Sequence, residues 1–163
     1  QSALTGHLVL TTVHANNVFD VIGRLATMGV DPYNLVSALN GVLAQRLVRK
    51  LCPYCRKPHV PSAAELRLLG LGREAPLPTL YRPSGCERCD FQGYRGRLAI
   101  MELLRMDGDI DELIARRATA REIRSTALAK GFTPLAEDGM RRVLDGSTSL
   151  EEIARVVDLT DRM

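Results

Sequence analysis

Residues 48–61 read VRKLCPYCRKPHVP, and the meaning of the Cys-Pro-Tyr-Cys inside this stretch sets the class of the protein. Two uses compete for a C-x-x-C pair: a dithiol redox centre and one half of a zinc site. A redox pair places its first Cys at a helix N-terminus, where the dipole and free N–H groups lower the thiol pKa. Here Cys55 is followed by Arg56, Lys57, Pro58, His59, Val60 and Pro61. Two prolines that close behind the pair do not permit such a helix. A second stretch, GCERCDFQGYRG at 85–96, repeats the spacing at Cys86 and Cys89, between Gly85 and Gly93. Two knuckles of this kind bring four thiolates onto one Zn²⁺ in a tetrahedron, and the long insertion between them costs little in loop-closure entropy. Cys52, Cys55, Cys86 and Cys89 are therefore the expected metal ligands. With no fifth ligand or water-activating partner in the pattern, the zinc reads as structural. His59 reads either as a substitute ligand or as an exposed loop residue.

The totals fit a globular class. The chain has 163 residues, 45% apolar and 25% charged, enough for one ordinary domain or one and a half small ones. No run approaches the roughly 18 apolar residues of a membrane span. A net charge of +3 and the absence of Trp argue against nucleic-acid binding, which wants a concentrated basic face or stacking platforms. Paired cysteines without a signal peptide point to a reducing compartment and to metal rather than disulfides. The chain opens on QSALTGHLVLTTVH, without Met and straight into an apolar run, and is read as a piece of a larger protein.

Working outward, HLVLTTVH at 7–14 is nearly continuous apolar and β-branched sequence, which predicts a strand buried on both faces of a parallel sheet. His7 and His14 bracket it, about 23 Å apart if fully extended, so they cannot share a metal unless the chain bends. Ligands gather at the C-terminal ends of such strands, which places His14, with Thr12 and Asn16, near any site. On physical grounds alone a structural role is as good a reading for each histidine. Asn16 or Asn17 caps a helix carrying Val18, Val21, Ile22, Leu25 and Met28, ended by Gly29. Asp31-Pro32 opens a second helix through Leu35, Val36, Leu39 and Val42 or Leu43. QRLVRKL is expected to return as a strand into the first knuckle. SAAELRLLG predicts an amphipathic turn or helix followed by a Pro-rich loop, and GYRGRLAIMELLRM a strand. The last third is helical, punctuated by a Thr119-x-x-Glu122 box, Gly131, Thr133-Pro134, Gly146 and Ser149-x-x-Glu152. Arg46, Arg49 and Lys50 carry no assignment beyond a basic edge.

The run ALTGHLVLTTVHAN resembles the histidine box of the ATPases of type II secretion and type IV pilus assembly. The resemblance continues in order through RLATMGVDPYNLVSALNGVLAQRLVRKLCPYC, CERCDFQGYRGRLAIMELL, GFTPLAEDG and VLDGSTSLEEIARVV, covering essentially all 163 residues. It implies an α/β fold: the C-terminal portion of a RecA-like P-loop ATPase core with an inserted four-cysteine zinc module and a C-terminal helical subdomain. The implied division is 1–51 for the core portion, 52–90 for the zinc module and 91–163 for the strand and helices. It also implies a homo-hexamer with ATP and Mg²⁺ between subunits, an inner-membrane platform and a membrane-anchored protein as partners, and a place at the cytoplasmic face of the bacterial inner membrane. His7 and His14 are implied in nucleotide sensing and coupling, and Arg24 and Arg97 at the nucleotide or the subunit interface. Guanidinium groups suit that task because they stabilise charge on phosphoryl oxygens. A solvated helix face for Arg24 and an edge-strand charge for Arg97 are the plainer readings.

No G-x-x-x-x-G-K-[ST] occurs in the chain, so nothing in it cradles β- and γ-phosphates. No apolar run ending in acidic residues precedes His7 either. In the family both lie ahead of the histidine box. The family's His-Thr-Asn-Asp reads HANN here, at 14–17. These 163 residues are therefore expected neither to bind ATP tightly nor to hydrolyse it. The competing reading is a free-standing zinc-stabilised interaction module without ATPase activity. A zinc-ribbon nucleic-acid binder is a third, opposed by the weak charge excess. Loss of Cys52 or Cys89 is expected to loosen the zinc module and leave the C-terminal helices intact.

Overall fold

The computed structural model describes residues 2–72 and 76–160. The chain forms two compact units, each assembled from two separate segments. A pair of long strands, β1 (Gly41–Leu51) and β4 (Tyr94–Arg105), forms one two-stranded sheet. Met106 N–H donates to Asn40 O at 3.1 Å, and Cys52 N–H to Gly93 O at 2.9 Å. The start of each strand thus meets the end of the other, which is antiparallel pairing.

The first unit comprises Gln1–Ala44 and Met101–Pro134. Helix α1 (Val18–Thr27) starts where Asn17 Oδ1 accepts the N–H groups of Phe19 and Asp20, both at 2.9 Å, two of the four donors a helix start leaves open. It ends with Val30 N–H donating to Leu25 O and Gly29 N–H to Ala26 O, the paired bonds of a Schellman stop. Asp31 caps α2 (Pro32–Ala38), with Pro32 in the first turn. Asp107 caps α4 (Gly108–Ala115), and the Thr119–Glu122 box opens α5 (Ala120–Ala129). Their apolar faces close one core of Val18, Phe19, Ile22, Leu35, Val42, Leu104, Ile110, Ile114 and Ile123. Phe19 and Phe132 meet edge to face at 5.2 Å, the favoured aromatic geometry.

The second unit comprises Gln45–Ile100 and Leu135–Met163. Strands β2 (Lys57–His59) and β3 (Leu80–Arg82) pair antiparallel, with His59 opposite Leu80. Between them lies α3 (Ala63–Leu68), opened by a reciprocal Ser62–Glu65 capping box. Helices α6 (Leu135–Leu144) and α7 (Leu150–Val156) complete the unit. The segment joining them clasps β1: Leu51 N–H donates to Ser147 O, and Thr148 Oγ1 donates to Arg49 O.

Several expectations need correction. No strand forms over 7–14; the segment is irregular, and Leu8 and Leu10 stand 83% and 88% exposed. A strand buried on both faces needs a neighbour on each side, and among the described residues neither sheet includes it. Helix α2 stops at Ala38, and Val42 and Leu43 belong to β1. Backbone pairing with β4 begins at Asn40 and outweighs the helical spacing. Part of the expected Pro-rich loop is strand β3, paired with β2. The C-terminal helices are not one body: α4 and α5 fold with the first unit, α6 and α7 with the second. Compact units and the serial division 1–51, 52–90 and 91–163 describe the chain in different terms, and the first does not decide the second.

Candidate metal centre and the histidine-bearing segment

Each cysteine pair sits in a turn that its own backbone closes. Cys55 N–H and Arg56 N–H both donate to Cys52 O. In the second knuckle Cys89 N–H and Phe91 N–H both donate to Cys86 O, and Gln92 N–H donates to Cys89 O. That turn puts Asp90 and Phe91 in the left-handed region, at φ 49° and 59°, a strained choice for a bulky residue. Gly85 and Gly93 are required by space. A Cβ on Gly85 would lie 2.7 Å from Phe91 O, and one on Gly93 2.5 Å from Pro83 Cβ.

These turns bring all four Sγ atoms within 4.8 Å of one another. Cys52 to Cys86 is 3.9 Å, and Cys55 to Cys89 and Cys86 to Cys89 are each 3.8 Å. Four thiolates about 2.3 Å from a central Zn²⁺ in a regular tetrahedron stand about 3.8 Å apart. A disulfide would need about 2.05 Å, and all four cysteines are free. Backbone donors already face the sulfurs: Gly85 N–H reaches Cys55 Sγ at 3.3 Å, Cys86 N–H reaches Cys89 Sγ at 3.3 Å, and Gly93 N–H reaches Cys89 Sγ at 3.2 Å. Burial alone would raise the Cys89 pKa, but the Cys86 and Gly93 N–H groups and the neighbouring thiols bring it down to about 7. Burial, then the adjacent thiols, push Cys86 up to about 11. The donor set fits a tetrahedral thiophilic cation, and Cys52 and Cys89 are buried within it.

The surroundings are held by arginines. Arg56 Nη1 donates to Gly146 O at 2.6 Å while its guanidinium lies 4.3 Å over the Tyr81 ring. Arg88 stacks 4.1 Å over Tyr54, joining the two knuckles. His59 is not an exposed loop residue, and it lies outside the four-sulfur cluster that a substitute ligand would join. It lies in β2 with a side chain 16% exposed, and its Nε2 is 3.0 Å from Glu65 Oε1. Burial opposes ionisation of Glu65, but Ser62 N–H, His59, the Ser62 hydroxyl and Arg82 hold its pKa at about 2.

The remaining predicted site residues are not gathered at the sulfur centre. His7, His14 and Arg24 lie in the first unit, and Arg97 in the second. All four are exposed. His7 Nδ1 is 3.1 Å from Thr5 Oγ1 and 3.2 Å from Ser2 O. His14, Arg24 and Arg97 make no side-chain hydrogen bond or ion pair among the described residues. Among the described residues Glu102, Asp138 and Glu152 are buried carboxylates, and the sequence pattern marked only Glu152, as part of a helix cap. Glu102, 5% exposed, accepts Val18 N–H at 2.9 Å. Glu152, 1% exposed, binds Arg49 and Arg155, so Arg49 is an ion-pair partner rather than part of a free basic edge. The available signal was an acid inside an apolar stretch, LAIMELL for Glu102 and LEEIARVV for Glu152.

The chain is mixed α/β, with a four-thiol cluster and an exposed histidine-bearing segment ahead of α1. The chain belongs to the family described as Type II/IV secretion system protein, whose model matches residues 1–155. It is 46% identical over 156 residues to the type II secretion system protein E of Pseudomonas aeruginosa, 96% of this chain and 31% of that protein. Against the type IV pilus assembly ATPase PilB of Thermus thermophilus it is 46% identical over 160 residues, 97% of this chain and 18% of that protein. The type II secretion system ATPase E of Vibrio cholerae is 44% identical over 161 residues, 96% of this chain and 31% of that protein. The chain therefore spans less than a third of the length of these relatives. Among the described residues no helix is long and apolar enough to cross a membrane.

Proposed function

We propose that these residues are the C-terminal portion of a motor ATPase that powers type II protein secretion or type IV pilus assembly. The observation that carries this reading is the likeness of nearly the whole chain to proteins named as such ATPases. In this reading residues 1–51 belong to a RecA-like core, 52–90 are the zinc module, and 91–163 the closing strand and helices. The open leucines at 8 and 10 support it, since further core strands would cover them. His7 and His14 sense nucleotide and couple it to movement. Arg24 and Arg97, exposed and without a side-chain partner among the described residues, face nucleotide or a neighbouring subunit of a homo-hexamer. ATP and Mg²⁺ are held mainly by residues outside this chain, since it has no P-loop pattern. Cys52, Cys55, Cys86 and Cys89 hold Zn²⁺, which supplies a structural cross-link. The partners are the inner-membrane platform and membrane-anchored proteins of the machine, at the cytoplasmic face of the inner membrane.

The test compares two proteins. The full-length polypeptide carrying this chain should hydrolyse ATP and lose turnover on His14→Ala, while the 163-residue chain should show none. Turnover by the short chain, abolished by His14→Ala, would overturn the division of labour. A full-length protein without nucleotide-dependent activity would favour a zinc-held interaction module.

A further inference from the structure

Glu102 is a buried carboxylate of the first unit. It sits on β4 between the exposed Met101 and Leu103, yet its own side chain turns in and is almost fully buried. Burying a carboxylate is costly unless donors meet it. One donor is the backbone N–H of Val18, at 2.9 Å and 84 residues away in the chain. Asn17 Oδ1 is committed to Phe19 and Asp20, so the Val18 N–H is the donor its own cap leaves over. Val18 is itself fully buried, at 0% exposure. Without Glu102 this N–H would be stranded away from water. The positive end of α1 also favours a carboxylate at that spot.

Val18 lies four residues after His14, and the connecting 15–17 segment is irregular. Among the described residues the backbone carrying His14 belongs to no sheet, and its junction with α1 fixes one end of its path. We infer that Glu102 is the positioning residue of the histidine box: its carboxylate pins the start of α1 at Val18 and so fixes the path along which His14 is presented. This rests on the ATPase reading given above for what His14 does, but the pin itself is independent of it.

Two measurements test it. The first is hydrogen exchange at the Val18 amide in the 163-residue chain. Glu102→Ala should speed it roughly 10- to 100-fold, and Glu102→Gln, which keeps an acceptor oxygen, should stay near the parent. Unchanged exchange in Glu102→Ala overturns the pin. The second is a double-mutant cycle on ATP turnover by the full-length polypeptide. Glu102→Ala should lower kcat at least about tenfold with little change in KM, Glu102→Gln should restore most of it, and Glu102→Ala should cost nothing further in a His14→Ala background. Additive losses would make Glu102 a structural residue only and overturn the inference while leaving the ATPase reading in place. No effect of His14→Ala on turnover would remove that reading, and the positioning role with it, while the exchange result still stands for the pin. If Glu102→Ala fails to fold, Glu102→Asp, one methylene short of Val18, is placed in the same cycle and read the same way.

Discussion

Glu152 and Arg49 meet at three points: the Arg49 N–H donates to Oε1 at 2.9 Å, and its Nε and Nη2 donate to Oε2 at 2.9 and 2.6 Å. Arg155 closes the other side of the same carboxylate, with Nε and Nη2 at 3.0 and 2.7 Å. Arg49 also lies 4.1 Å over the Tyr94 ring, whose hydroxyl is 2.7 Å from Ser149 Oγ. One side chain thus ties α7 to β1 just ahead of the first metal-type knuckle. The Arg49 and Arg155 side chains are 42% and 56% exposed, so removing Glu152 returns them to water and forfeits charge-assisted hydrogen bonds worth about 1.5–3 kcal/mol. Glu152→Ala is expected to lower the stability of the second unit by about that amount, read as a shift in the urea midpoint. Arg155→Ala, whose side chain is largely exposed, should cost far less.

The same carboxylate gives an acid limit. Burial opposes its charge, but Arg155 and Arg49 lower its pKa from 4.5 to about 2. A folded-state value below the unfolded one means that protons favour the unfolded chain. The contribution is therefore complete above about pH 4.5 and disappears as pH falls through about 2, amounting to about 3 kcal/mol. Glu65, also lowered to about 2, acts in the same direction. Urea midpoints measured from pH 5 to pH 2 should fall steeply in the parent chain and less steeply in Glu152→Gln.

The sulfur cluster predicts one thiophilic metal ion per chain, measurable by elemental analysis of purified protein. Chelation or Cys52→Ser should loosen the second unit as a whole, α6 and α7 included. Arg56 binds Gly146 O, and Leu51 N–H binds Ser147 O, so the knuckle and the segment between α6 and α7 share bonds. Helices α4 and α5, in the first unit, should keep their amide protection. This departs from the expectation that all C-terminal helices stand apart from the zinc module. Equal hydrogen exchange in α6 and α7 with and without chelator would contradict the coupling.

Gly93→Ala should damage the metal site without touching a ligand. Gly93 has φ +77°, and an added Cβ meets Pro83, so the residue donating to Cys89 Sγ must shift. Loss of such an outer-shell contact typically weakens metal binding about 10- to 100-fold. Competition against a chromophoric chelator reads this directly, with Gly72→Ala, where open space surrounds the added carbon, as the control.

Local chemistry was legible where a short-range signal exists. Asn17, Asp31 and Thr119 cap helices as their residue types indicate, and the cysteine spacing announced its cluster. Helix α4 was not singled out because its stop is not a glycine: Arg117 occupies the left-handed position at φ 57°, where the sequence reading looked for Gly. The β2–β3 pair was missed because three-residue strands, one containing Pro58, carry no measurable alternation. Ser149-x-x-Glu152 reads as the cap of the last helix, and Ser149 does cap α7, while Glu152 gives its carboxylate to the arginines.

The amino-acid sequence alone determined where most of the helices begin, that the cysteines fall in two pairs at metal-ligand spacing, and that no P-loop pattern occurs in these 163 residues, because each depends on residues a few positions apart. Tertiary structure decided that the C-terminal helices divide between two units, and that 7–14 stands exposed rather than paired. It also decided that Glu102 and Glu152 are buried anchors. Their partners lie 84 and 103 residues away, and an acid in an apolar stretch looks the same in sequence whether it turns to solvent or finds a donor inside. Only the folded path of the chain brings Val18 N–H and the Arg49 guanidinium to those carboxylates, and burial of a charge is tolerated only where such donors converge.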